Sequence, residues 1–114
     1  MTVFVDASAL VAMIVGESER DAFITRVEQD GNALWSAMSC WETVSALRSS
    51  YRFDIDLARS EVENTAQVLA LRLVAIGESE LSTALDAYQI YGKGRHPASL
   101  NMGDCFPYAC AKTH

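Results

Sequence analysis

The sequence predicts an α/β protein built on a parallel sheet. Short, largely apolar runs occur at 3–5, where every residue is β-branched or aromatic, at 33–36 and near the end of 71–76. Longer segments with helical periodicity separate these runs. The first two runs lead straight into helix-start chemistry, the alternation that lays parallel strands side by side with helices over the faces of the sheet.

Val3, Phe4 and Val5 pass into Asp6, Ala7 and Ser8, which reads as a short buried strand. Residues 9–15 are apolar on every side and end at Gly16, as a short buried helix does. Ser18 with Asp21 has capping-box spacing and starts a second helix, with Phe23, Ile24 and Val27 inside and Gly31 as its stop. After the second strand, Ser39 is expected to cap a helix with the stripe Cys40, Val44, Leu47 and Tyr51. Asp54 and Asp56 mark a turn and a new cap, and the helix beyond buries Ala58, Val62, Ala66 and Leu69. Leu81, Ala84, Leu85, Tyr88 and Tyr91 give the cleanest helical stripe, closed by Gly92. A loop rich in Gly, Pro and basic residues spans 93–101, and a last helix runs from about Asp104 to Lys112. Cys105, Phe106, Tyr108, Ala109, Cys110 and Ala111 make that helix apolar on most of its surface, so cover from more than one side is expected.

The 114 residues suit one domain, 1–114, and are too few for two. No apolar run approaches the ~20 residues that cross a bilayer, and the start lacks a basic signal region. No membrane association is expected, and the cytoplasm is the expected compartment. Cys40, Cys105 and Cys110 are an odd number, which speaks against a disulfide framework, and the last two read as buried thiols. A zinc site would want a CxxC pair or nearby His partners, and neither is present. His114 is terminal and expected to be disordered. The net charge of −6 argues against broad electrostatic binding of nucleic acid. It does not argue against a nuclease, whose metal-binding carboxylates count as negative until the metal arrives.

Three acids stand at strand-to-helix junctions: Asp6 after the first strand, Glu42 opening the helix after the second, and Asp104 opening the last helix. In an open parallel sheet such junctions gather at the carboxyl edge of the strands. Carboxylates drawn together there repel unless a cation lies between them, and all-oxygen clusters suit Mg²⁺ or Mn²⁺. Each acid also has a purely structural reading. Asp6 is a good N-cap, Glu42 stands three residues after Ser39, and Asp104 three after Asn101. The two readings are compatible. Trp35 and Trp41 flank the second junction and read as core or interface rather than as base-stacking platforms.

These residues resemble the PIN-domain ribonucleases, specifically the VapC toxins of bacterial toxin–antitoxin pairs. Val3 through Leu10 is similar to the family's opening strand, with its first acid and following hydroxyl, and Ser36 through Glu42 to the segment leading to its glutamate. Tyr91 through Cys105, continued by Tyr108 and Ala109, carries the most specific signature. The resemblance implies a three-layer α/β/α fold and metal-dependent cleavage of RNA. In it Asp6, Glu42 and Asp104 hold Mg²⁺ or Mn²⁺, and the Ser8 hydroxyl orients Asp6 or a metal-bound water. It also implies a cognate VapB-like antitoxin, whose apolar segment would lie against the helices at 9–15 and 41–51, and a homodimer favoured by the apolar last helix. Lys93 and Arg95 are assigned to flanking phosphates from their charge alone.

Two departures set further expectations. The chain is expected to be short of the family's last strand or strands, leaving the first strand at an unprotected edge. Pro107 falls where a small helix former is usual, so the last helix should begin near Asp104 or kink. The alternative to a nuclease is therefore a catalytically impaired, truncated VapC acting as an antitoxin-binding or dimerising module. A receiver-like phosphotransfer domain is disfavoured, because Asp6 has no acidic neighbour and Lys93 follows a helix rather than a strand.

Overall fold

The structure, a computed structural model, describes residues 2–92 and 102–114, and of residues 102–104 the backbone. The chain forms two compact units, Met1–Leu73 and Val74–His114.

The first unit is βααβααβ: β1 (Thr2–Phe4), α1 (Ala7–Val15), α2 (Arg20–Asp30), β2 (Asn32–Trp35), α3 (Ala37–Tyr51), α4 (Ile55–Val68) and β3 (Arg72–Leu73). The strands pair in the order β1-β2-β3, both pairings parallel, with Phe4 opposite Leu34 and Leu34 opposite Arg72. This is the parallel α/β arrangement expected. Among the described residues the sheet has these three strands and β1 lies at one of its edges. The core joins Val5, Ala33 and Trp35 of the sheet region to Leu10 and Met13 of α1, Val27 of α2, Leu47 of α3 and Ala58, Val62 and Ala66 of α4. The α4 stripe is the predicted one, and Asp54 caps that helix by accepting the Leu57 N–H at 2.8 Å.

Two helix starts differ from expectation. Ser18 does not cap α2; the Arg20 N–H closes a turn onto the Glu17 carbonyl, and Glu19 precedes the helix with no side-chain cap. Ser39 does not cap α3, which begins at Ala37 behind Ser36, three residues earlier than a Ser39 cap would start it.

The second unit pairs α5 (Glu78–Tyr91) with α6 (Met102–Thr113). The face of α5 buried here shares Ala84 with the predicted stripe but not its large side chains. Ala84 and Ala87 pack with Cys105 and Ala109, whereas Leu81, Leu85, Tyr88 and Tyr91 remain exposed. Small side chains let the two helices approach, so the large ones stand at the sides of the contact. Helix α6 buries the stripe Cys105, Ala109 and Cys110 but exposes Tyr108, so it is amphipathic rather than covered all round. It starts at Met102, two residues before Asp104, which puts Pro107 in its second turn. There proline has no N–H to give the carbonyl four residues back. Among the described residues Cys40, Cys105 and Cys110 form no disulfide, and Cys105 and Cys110 are buried.

Candidate active site

Asp6 follows the end of β1 by two residues, with an extended backbone at φ −87° and ψ 175°. Its Oδ1 accepts the Ala9 N–H at 3.0 Å, which makes it the N-cap of α1. The same oxygen accepts the Ser8 hydroxyl at 3.0 Å. Among the described residues no hydrogen bond reaches Oδ2. The structural reading of Asp6 thus occupies one carboxylate oxygen.

Because β2 runs parallel beside β1, α1 and α3 start at the same sheet edge. Ser36, extended at φ −128° and ψ 165°, accepts the Ser39 N–H at 3.2 Å and begins α3. Ser36 and Ser39 are both buried with their hydroxyls 3.1 Å apart, and the buried Thr43 hydroxyl donates to the Ser39 carbonyl at 2.7 Å. This small polar file lets the helix start sit inside the protein with its groups satisfied.

The corrected cap changes the meaning of Glu42. Counting from Ala37, it is the sixth residue of α3, in the second turn, and no capping box explains it. Six residues of helix put its backbone roughly 9 Å beyond the edge. Helical side chains lean toward the N-terminus, which for α3 is the end behind Ser36.

Asp6 and Glu42 therefore belong to neighbouring helices that rise from one edge of the first unit. Asp104 is the third residue of α6 in the second unit; its side chain, and Lys93 and Arg95, lie outside the described residues. Among the described residues no three acids, histidines or cysteines stand close enough to hold a metal ion. The candidate residues Asp6, Ser8 and Glu42 offer carboxylate and hydroxyl oxygens, a chemistry that suits Mg²⁺ or Mn²⁺ better than zinc.

The second unit contains an acid that no sequence pattern singled out. Glu80 is only 5% exposed. It accepts hydrogen bonds from the Ser79 hydroxyl and, at 3.3 Å, from the Gly77 N–H, and it lies 3.3 Å from His114 Nε2. The Ser79 contact, with help from Gly77 and His114, pulls its pKa from 4.5 to about 2. Its signal was present: Glu80 is the third residue of a helix behind Gly77, the return half of a capping box. Glycine has no side chain to supply the other half. His114, expected to be disordered, instead continues α6 through its N–H to the Cys110 carbonyl at 3.1 Å and reaches Glu80.

A parallel α/β unit with one acid behind its first strand and another on the helix behind its second defines a carboxylate-edged α/β protein. The chain belongs to the PIN-domain family, whose profile matches residues 3–114. It is 41% identical over 108 residues to ribonuclease VapC30 of Mycobacterium tuberculosis, which covers 95% of this chain and 80% of that protein. A ribonuclease VapC of Mycolicibacterium smegmatis is 38% identical over 108 residues, covering 95% and 81%. A VapC ribonuclease of Rhizobium meliloti is 37% identical over 121 residues, covering 96% and 85%.

Proposed function

We propose that this protein is a metal-dependent endoribonuclease toxin of the VapC type, held in check by a cognate VapB-like antitoxin. The observation that carries the reading is Asp6. It stands at the carboxyl edge of the sheet with one oxygen fixed by Ala9 and Ser8, in a chain whose relatives are named ribonucleases. In this reading Asp6, Glu42 and Asp104 hold Mg²⁺ or Mn²⁺. When bound, the ion supplies a water of lowered pKa and neutralises charge at the phosphate. Ser8 keeps the Asp6 carboxylate in one orientation, and Lys93 and Arg95 grip phosphates flanking the cleaved bond. The family match running through both compact units supports treating 1–114 as one domain. We read the protein as a homodimer acting in the cytoplasm; no helix among the described residues is long and apolar enough to cross a membrane.

The test is cleavage of a structured RNA with Mn²⁺, with chelator, and by Asp6→Asn and Asp104→Asn. Cleavage that needs the metal and disappears in both variants is expected. Cleavage that survives in Asp6→Asn, or without metal, overturns the proposal. No cleavage by the wild type, with antitoxin binding retained, would assign the chain to the impaired binding module instead.

A further inference from the structure

A cleft of about 480 Å³ lies along β1, lined by Phe4, Val5, Asp6 and Ser8 on the strand side and by Phe23 and Arg26 of α2 on the other. Phe23 and Arg26 stand three residues apart on α2, so one face of that helix serves as the wall. Val5 is buried and Phe23 half-buried, which gives the cleft an apolar lining. Among the described residues its polar side chains are Asp6, Ser8 and Arg26. Asp6 and Ser8 belong to the candidate site, and Arg26 has so far no part in it.

Arg26 is held in place by its neighbour one turn on. Its Nε donates to Asp30 Oδ2 at 2.8 Å, with the Asp30 side chain 11% exposed and the arginine side chain 58%. The acid is turned in and the guanidinium stands out in water. A pair of this kind on a helix surface adds little to stability, a few tenths of a kcal/mol by the usual measure, ~0.3–0.5. It does fix the plane of the guanidinium. Arginine carries five N–H donors in a rigid fork, and Asp30 takes the one on Nε. Such a fork matches the oxygens of a phosphate, and an oriented one loses less freedom on binding.

We propose that Arg26 is an RNA-binding residue, gripping a backbone phosphate that neighbours the one cleaved at Asp6, with the nucleotide between them lying along Phe23. The inference rests on the nuclease reading above and adds to it a residue that charge and spacing in the sequence did not single out. The chain carries −6 and repels a polyanion over most of its surface, so a strand that reaches Asp6 needs a cation close by. Of the arginines in the first unit, Arg26 is the one that shares a cleft with Asp6 and Ser8. The lining also suits a nucleotide, which offers an apolar base face and a charged backbone in one ligand. A protein segment would have to present an acid to Arg26 while keeping acids from Asp6. An RNA strand meets both demands once a divalent ion neutralises Asp6.

The experiment measures binding of a fluorescent single-stranded RNA oligonucleotide by anisotropy at several salt concentrations. Asp104→Asn serves as the background, so that the strand stays intact, and Arg26→Ala, Arg26→Lys, Asp30→Asn and Arg72→Ala are added to it singly. Circular dichroism melts show whether each variant keeps its fold. Losing one phosphate contact should lower the slope of log affinity against log salt by about 0.7 in Arg26→Ala. Arg26→Lys keeps the charge and should keep the slope. Asp30→Asn breaks the same ion pair but leaves the cation, so its slope should also hold. Arg72 lies on β3 at the other edge of the sheet, and its loss should leave the slope unchanged. Equal changes in Arg26→Ala and Asp30→Asn would mean that the pair merely supports α2, and would overturn the proposal. A wild type that cleaves RNA while Arg26→Ala keeps the full slope overturns the role of Arg26 and leaves the nuclease standing. A wild type that neither binds nor cleaves RNA overturns both.

Discussion

The Ser8 hydroxyl and the Ala9 amide both donate to Asp6 Oδ1, each at 3.0 Å. One oxygen of the carboxylate is thus spent on starting α1 and keeping the side chain in a single rotamer. This division separates what Asp6 does for folding from what its charge does for chemistry, and substitutions can tell the two apart.

Asp6→Asn keeps an amide oxygen able to cap α1, and asparagine caps as well as aspartate. Its urea midpoint should match the wild type while metal-dependent RNA cleavage is lost. Asp6→Ala should lose cleavage too, and in addition about 1 kcal/mol of stability with the cap. Equal stability of the two variants would mean that the cap contributes nothing.

Ser8→Ala removes an exposed hydroxyl that, among the described residues, hydrogen-bonds Asp6 alone. Stability should stay within about 0.5 kcal/mol of the wild type. Cleavage should fall roughly 10-fold at limiting Mn²⁺, as for other groups that orient a metal ligand, and recover in part at high Mn²⁺. A loss that no metal concentration relieves would assign Ser8 a different role.

Glu80 predicts an acid sensitivity confined to the second unit. Its folded pKa of about 2 lies below the ordinary 4.5, so the folded protein keeps a charged carboxylate where the unfolded chain takes up a proton. The stabilisation is complete above pH 4.5 and drains away as pH falls from 4.5 toward 2. Glu80→Gln should therefore flatten the drop in melting temperature across that window. An unchanged drop would place the acid sensitivity elsewhere.

Arg52 ends α3 in the left-handed region, at φ 60°. A side chain pays a steric cost there that glycine avoids. Arg52→Gly should stabilise the protein by about 1 kcal/mol in urea titration, the reverse of the usual direction for a glycine substitution.

Much of the first unit was legible in the sequence because strands and cores are written as local patterns. The 3–5 and 33–36 runs lie within a residue of β1 and β2, and the α4 stripe of Ala58, Val62 and Ala66 is buried as spaced. Caps were harder, because Ser36 and Ser39 are the same residue type three positions apart. Only the extended backbone at Ser36 decides which one starts the helix. The stripe on α5 misled for a different reason. Periodicity marks the large apolar side chains, but α5 and α6 meet through alanines and a cysteine, which carry little weight in such a pattern. Asp6 was visible from its place behind a strand. Glu80 was hidden because the residue that should have announced its cap is a glycine.

The outer strand β3 is two residues long, and Arg72 and Leu73 are both exposed. A rung that short, with a guanidinium on it, gives a stray polypeptide almost no ladder to copy. Among the described residues that flank is thus poorly suited to runaway growth of the sheet by added molecules.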